Sequence, residues 1–265
     1  MDTVTILFVG DVFGSTGRAV LRNLLPGLKR ELRVDVCIVN GENASHGRGL
    51  SLHAADEIYL AGADYITMGN HTWNHNDIYQ YADDYPIVRP ANFAASLPGR
   101  GSAVLETGGF AVGVINLQGR VYMDPCDNPF ETASDEVQRL REQTSVILLD
   151  FHAEATAEKA AMAYYLDGLV TAVVGTHTHV QTADERILPG GTAFITDVGM
   201  TGPHDSIIGM DKNGVLNKFI RCVPQKFKPA EGNGRLHAVL IKADAATGKA
   251  LEIKRLSIPD APDGK

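Results

Sequence analysis

The amino-acid sequence predicts a layered α/β domain whose sheets are partly parallel and partly antiparallel. Three features point to it. Through most of the chain, short apolar runs alternate with helix-patterned segments, the order of a sheet wrapped by helices. Those runs are apolar on both parities, as strands covered on both faces are. The C-terminal part instead carries β-patterned runs separated by a short turn, as antiparallel strands are.

Along the chain, residues 4–10 (VTILFVG) read as the first buried strand. Leucines at 21, 24, 25, 28 and 32 have helical spacing and predict a helix over 18–33. Pro26 lies inside that run and predicts a kink or break. Residues 34–40 (VDVCIVN) form the second strand, 52–60 a helix ending near Gly62, and 64–69 (DYITMG) the third strand. Strands at 145–151 (SVILLDF) and 169–175 (LVTAVVG) flank a helix, TAEKAAMAYYL, with Thr156 as its N-cap and Glu158 near its first turn. Runs at 192–199 (TAFITDVG), 235–245 and 249–258 read as antiparallel strands, with a turn at Ala246-Thr247-Gly248. The stretch 119–130 (GRVYMDPCDNPF) reads as an irregular loop or cap, and the tail PDAPDGK as frayed. The expectation is a single domain over residues 1–265, long enough to bury a core without a disulfide or structural metal.

Charge narrows the partners. The chain has 24 basic and 32 acidic residues, a balance of −8, which argues against a broad basic surface for duplex nucleic acid or a membrane. A small anionic substrate stays open, because a bound metal reverses the local sign. No stretch approaches the ~20 apolar residues of a membrane span, and no basic segment opens a signal peptide. Cys37, Cys126 and Cys222 are widely spaced with no C-x-x-C, so a reducing, cytoplasmic location is expected.

The functional signal lies after the buried strands. Five of them end in Gly10-Asp11-Val12-Phe13-Gly14, Asn40-Gly41-Glu42-Asn43, Gly69-Asn70-His71, Asp150-Phe151-His152 and Gly175-Thr176-His177-Thr178-His179. Each delivers oxygen or nitrogen donors to the C-terminal edge of a strand, where ligands bind in open α/β sheets. Singly, each has an ordinary explanation as a turn former, helix cap or surface histidine. His177 and His179 fall on one side of an extended segment by simple alternation. Five coincidences at one edge argue for a site.

The donors are Asp11, Glu42, Asn43, Asn70, His152, His177 and His179, with no thiolate. Such a mixed set suits manganese, iron, zinc or cobalt. Seven donors exceed the needs of one catalytic ion, which keeps an open position, and serve two ions if a carboxylate bridges. Competing motifs fail. GDVFGSTG has neither G-K-[ST] nor G-x-G-x-x-G spacing, and no G-x-S-x-G or H-E-x-x-H occurs.

The order of these donors resembles that of the calcineurin-like metallophosphoesterases. The strings GDVFGSTGR, NGEN, GNHTWN, DFHAEATAEK, VVGTHTHVQTAD and ITDVGMTGP resemble, more closely, the YmdB-like bacterial cyclic-nucleotide phosphodiesterases, over about residues 7–210. The resemblance implies a four-layer αββα sandwich with mixed sheets and a dinuclear centre of iron or manganese. It assigns Asp11, Glu42, Asn43 and His179 to one ion. Glu42, Asn70, His152 and His177 go to the other, with Glu42 bridging and His71 as general acid. The chain departs from the wider superfamily in carrying Phe13 where Asp-x-His is usual, and Glu42 where the bridge is usually Asp.

The expected activity is hydrolysis of nucleoside 2′,3′- or 3′,5′-cyclic phosphates, or another small phosphodiester, by hydroxide held on the metals. Self-association is expected from the resemblance. Alternatives are a phosphomonoesterase or 5′-nucleotidase on the same scaffold, or a nucleotide-sensing regulator with little turnover. His46, Arg48, Arg120 and His204 are within sequence reach of such a site but read more simply as loop residues. Trp73 and Cys37 read as core.

Overall fold

Strands that are apolar on both parities need cover on both faces, and here they find it. The computed structural model describes residues 2–260. Its strands are β1 (Thr3–Val9), β2 (Asp11–Val12), β3 (Val36–Asn40), β4 (Tyr65–Thr67), β5 (Ile87–Val88), β6 (Ser102–Thr107), β7 (Phe110–Gln118), β8 (Val146–His152), β9 (Ala172–Thr176), β10 (Arg186–Ile187), β11 (Ala193–Ile195), β12 (Met200–Pro203), β13 (Gly234–Asp244) and β14 (Ala250–Pro259). Its helices are α1 (Gly14–Glu31), α2 (Leu52–Leu60), α3 (Ile78–Tyr81), α4 (Pro129–Arg141), α5 (Thr156–Tyr165) and α6 (Lys212–Arg221).

Two mixed sheets result. One runs β2-β12-β13-β1-β3-β4-β5, with β14 beside β13; the other runs β10-β11-β9-β8-β7-β6. Strands β1, β3, β4 and β5 are parallel, as are β7, β8, β9 and β11. The parities of each strand feed different cores. Val4, Ile6 and Phe8 of β1 meet Val112, Leu148 and Val174 of the second sheet in a core between the sheets. Leu7 and Val9 face α1 and α2, while Ile147, Leu149 and Phe151 face α4 and α5. The layers are therefore helix, sheet, sheet, helix, the predicted αββα sandwich.

Several local expectations change. Helix α1 runs unbroken through Pro26, because burial of Leu21 and Leu25 outweighs the one backbone bond that proline deletes. The N-cap of α5 is Ala155, not Thr156, and makes no side-chain cap bond; Glu158 does lie in the first turn. The run 192–199 is not antiparallel throughout. Within it β11 pairs parallel with β9 and antiparallel with β10, and the chain then leaves for the other sheet as β12. The hairpin β6–β7, and helices α4 and α6, went unread in the sequence. In the stretch 119–130, residues 119–128 lie outside helices and strands, and Asn128 then caps α4. The predicted fraying starts too early: β14 extends to Pro259, and residues 261–265 lie outside the described residues. No helix among the described residues is long and apolar enough to cross a membrane.

A buried ion pair anchors the loop after β9. Lys159 Nζ lies 2.8 Å from Asp197 Oδ2, both side chains fully buried, and Asp197 also accepts from the backbone and hydroxyl of Thr178. Lys159→Met leaves that carboxylate without its cation, and is expected to cost about 3–5 kcal/mol. Urea unfolding measures this; a loss below about 1 kcal/mol would contradict the anchoring role.

Candidate metal centre

The C-terminal ends of the parallel strands from both sheets meet at one end of the sandwich. In the first sheet, Asp11 follows β1, Glu42 and Asn43 follow β3, and Asn70 and His71 follow β4. In the second, His152 ends β8, and His177 and His179 follow β9. Asp150 stitches the two edges beneath the site. Its carboxylate accepts from Asn40 Nδ2 (3.0 Å) and Thr67 Oγ1 (2.6 Å) of one sheet, and Thr176 Oγ1 (2.7 Å) of the other.

Glu42 is the hub. Its Oε1 lies 3.2 Å from both His152 Nε2 and His71 Nδ1, and its Oε2 accepts from the His71 backbone N–H at 2.9 Å. His152 Nε2 is 2.9 Å from Asn70 Oδ1 and 3.1 Å from His177 Nδ1. Glu42, His152 and His177 offer ligand atoms within 4.8 Å of one another, close enough to hold one ion. On the other side, Asn43 Nδ2 is 3.0 Å from Glu42 Oε1, 3.4 Å from Asp11 Oδ1 and 3.1 Å from His179 Nε2. All seven predicted donors and His71 thus fall in one cluster. Asn43 turns its nitrogen to that cluster, and its Oδ1 faces His71 Nδ1 at 2.8 Å. Ligation would require the oxygen there.

Backbone conformation aims the side chains. Gly69 is dictated by close approach: a Cβ there would come within 2.4 Å of Glu42 Oε2 and of the His152 ring. His177 and His179 do not sit on an extended segment. Both have positive φ, +100° and +65°, a conformation that costs a non-glycine residue energy and persists only where surroundings enforce it. Asp11 Oδ2 accepts from His177 N (3.2 Å), and Asp197 holds Thr178 between the two. Phe13 cannot act as a ligand and packs its ring edge-on to His179, with ring centres 5.6 Å apart. Gly47 and Gly209 close over Phe13, where any Cβ would approach its ring within 2.7 Å.

Each imidazole has a partner on its far nitrogen, which sets its tautomer. His152 Nδ1 is 2.8 Å from Thr176 Oγ1, which donates onward to Asp150, so Nδ1 carries the proton and Nε2 is left to a ligand. His179 Nδ1 donates to Ile208 O at 2.9 Å. His177 Nε2 lies 3.2 Å from Glu154 Oε2. Thr176, Asp150, Glu154 and Ile208 escaped the sequence reading. Only Asp150 carried a signal, as a polar residue inside an apolar strand. Of the weaker candidates, Arg48 lines the cavity over the centre. His204 packs on the His237 ring, and Trp73 stacks on Tyr79.

The charge balance fits cations. Asp11 and Glu42 are fully buried, and their ion-pair partners among the described residues are all histidines. Burial pushes the Asp11 carboxyl above the usual carboxylate range. Burial acts the same way on Glu42, but charge and hydrogen bonds from His152 and His71 outweigh it and hold Glu42 well below that range. Burial opposes charge on His152 too, yet Glu42 overrides it and raises His152 to about 9. His177 is pushed down to about 3, by burial and then by His152, which leaves it neutral and fit to ligate. Two buried acids with no lysine or arginine partner, ringed by nitrogen donors, suit metal ions.

Comparison with known proteins identifies the family. A family model described as YmdB-like protein matches residues 7–256. The chain is 49% identical over 256 residues to a 2′,3′-cyclic-nucleotide 2′-phosphodiesterase of Bacillus subtilis (strain 168), covering 96% of this chain and 97% of that protein. A crystal structure of a hypothetical protein from Thermus thermophilus superposes with TM-score 0.92 and 39% identity, over 97% of this chain and 100% of that one. A phosphatase from Mycoplasma pneumoniae gives 0.92 and 37%, over 98% and 94%. A putative 5′-nucleotidase from Staphylococcus aureus shares the fold at TM-score 0.64 and 17% identity, over 99% of this chain and 55% of that one. Fold and neighbours place the protein in the metallophosphoesterase class of α/β sandwiches. Within that class, the chain belongs to the YmdB-like family.

In the metal-free protein His152 holds a proton at neutral pH that a cation must displace. Metal uptake is therefore expected to release protons near pH 7, and apparent affinity to rise with pH until about 9. Calorimetric titration in buffers of different ionisation enthalpy measures the release. Uptake near pH 7 without it would contradict the His152–Glu42 pairing.

Proposed function

We propose that the protein is a metal-dependent phosphodiesterase that hydrolyses nucleoside 2′,3′-cyclic phosphates, with 3′,5′-cyclic phosphates as the second substrate class. The observation that carries this is the burial of Glu42, without lysine or arginine, between two groups of nitrogen and oxygen donors. The likeness to the Bacillus subtilis enzyme over nearly the whole of both chains supports it.

Asp11, Glu42, Asn43 and His179 would hold one ion, and Glu42, Asn70, His152 and His177 the other, with iron or manganese matching the mixed donor set. When bound, such ions would offset the charge of a phosphate and lower the pKa of water, which supplies the nucleophile. The protein's part is orientation and proton transfer. Thr176 with Asp150, the Ile208 carbonyl and Glu154 keep the protons of His152, His179 and His177 on the nitrogens that face them, which would leave the other ring nitrogens free to ligate.

His71 is the proton donor. As an imidazolium it keeps Nδ1–H on Asn43 Oδ1, and Nε2–H is the proton delivered to the departing ribose oxygen. Glu42 Oε1, 3.2 Å away, is a second acceptor for Nδ1–H when Asn43 turns its oxygen to an ion. The side chain is 23% exposed, so a substrate can reach it.

His71→Ala is expected to lower turnover by about 10²–10⁴-fold while bound metal stays near the wild-type level. Metal analysis beside rate measurement checks both; loss of metal with the ring would reject a role confined to acid catalysis. The activity itself is tested by assaying metal-replete protein on 2′,3′- and 3′,5′-cyclic nucleotides and nucleoside monophosphates. Phosphate release from monophosphates with cyclic phosphates left closed would overturn the proposal in favour of a phosphomonoesterase.

A further inference from the structure

The cavity above the centre has two chemically different ends. Its volume is about 420 Å³, within the range of small-molecule sites. Its floor is the polar cluster of Glu42, Asn43, His71, His177 and His179. A second wall, joined to that floor where Ile208 meets His179, is built by α6 and the segments flanking it: Ile208, Val215, Phe219 and Phe227, with Lys218 and Arg48 also lining the cavity.

That wall is unusual for this molecule. Phe219 is 75% exposed and Ile208 56%, although large apolar side chains on other helices mostly turn inward. Lys218 Nζ stands 5.1 Å from the centre of the Phe227 ring, a cation over an aromatic face. Five of the chain's 24 basic residues, against one acidic residue, fall in the 18 residues from Asp211 to Lys228, in a protein whose balance is −8. The wall is also tied to the centre. The Ile208 carbonyl orients His179, while the Ile208 side chain lines the cavity.

A ligand that fills this space has an anionic end for the metal centre, a flat uncharged end for the two aromatic rings, and negative charge near Lys218 and Arg48. A nucleoside phosphate has this form; an inorganic or sugar phosphate has no flat end. We propose that Phe219 and Phe227 form the nucleobase subsite, with Lys218 and Arg48 flanking it, so that α6 and the segment after it determine substrate specificity. This rests on the phosphodiesterase reading above and adds the residues that select a nucleoside over other phosphodiesters. Stacking tolerates every base, so the subsite would distinguish presence from absence of a base more than one base from another.

The test compares adenosine 2′,3′-cyclic phosphate with methyl riboside 2,3-cyclic phosphate, which has the same reacting ring and no base. Phe219→Ala and Phe227→Ala are expected to raise KM for the nucleotide about tenfold with kcat within about twofold, and to leave the methyl riboside unchanged. Phe227→Leu, which keeps apolar volume but removes the ring, guards against misfolding and should show a smaller rise. Calorimetric binding of adenosine 3′-monophosphate should weaken in parallel. If wild-type protein opens both cyclic phosphates and the variants treat them alike, the subsite is overturned and the phosphodiesterase reading stands. If wild-type protein opens neither, that reading falls, and unchanged binding of the monophosphate in the variants overturns the subsite separately. Phe219 shares α6 with exposed Leu216 and Ile220. A change in sedimentation of Phe219→Ala with unchanged kinetics therefore assigns the face to contact between copies and overturns the subsite.

Discussion

The centre depends on Asp150. This carboxylate sits fully buried between the two sheets and gathers Asn40 and Thr67 from one and Thr176 from the other. A sheet-on-sheet contact of aliphatic side chains fills space but tolerates sliding. Three hydrogen bonds to one buried charge do not, because each broken bond strands a polar group in a low-dielectric interior. Burial raises Asp150 to about 6, against the charge of His152 and the hydrogen bonds from Thr67, Thr176 and Asn40, which hold it down. Through Thr176 the same carboxylate fixes the His152 ring. One residue thus sets both the relative position of the sheet edges and the orientation of a donor above them.

Above this clasp the site is built from energetically costly features of a kind that suits a cation. Asp11 and Glu42 lie out of reach of solvent, and among the described residues no lysine or arginine side chain pairs with them. His177 and His179 are held in left-handed backbone geometry. His152 and His177 face each other through ring nitrogens 3.1 Å apart. Each feature costs folding free energy by itself. Together they form a preorganised set of donors, stabilised elsewhere by three well-packed cores and by the Lys159–Asp197 pair under the histidine loop.

The departures from the wider superfamily have a packing explanation. Phe13 stands where an imidazole is usual, and it is clamped by Gly47, Gly202 and Gly209 against His179. The ring therefore joins a glycine-lined slot that closes the loop 204–211 over the centre. Asn43 lies beside the vacated position, between Asp11, Glu42 and His179. The Asn43 oxygen that faces His71 is also the atom an ion there would draw on.

Much of this was legible in the residues. Val4 to Val9 and Val36 to Asn40 are apolar on both parities, and a strand with that pattern has to be covered twice, so the layering follows from local chemistry. The donors after five strands were legible because a parallel sheet brings the residues just beyond its strands together along one edge. The hairpin β6–β7 went unread because its inner face became recognisable only once the second sheet was present. Strand β11 was read as antiparallel, which holds against β10 but not against β9, because a run of apolar residues has no sense until its partners pair with it. The amino-acid sequence by itself determined which strands are buried and which donors stand at their ends, since both depend on neighbouring residues. Only the tertiary structure decided that Asp150 joins the sheets, that Glu154 and Ile208 orient the histidines, and that Phe219 of α6 and Phe227 beyond it line the cavity. Those relations connect residues far apart in the chain, and no local pattern encodes a contact between segments that meet only after folding.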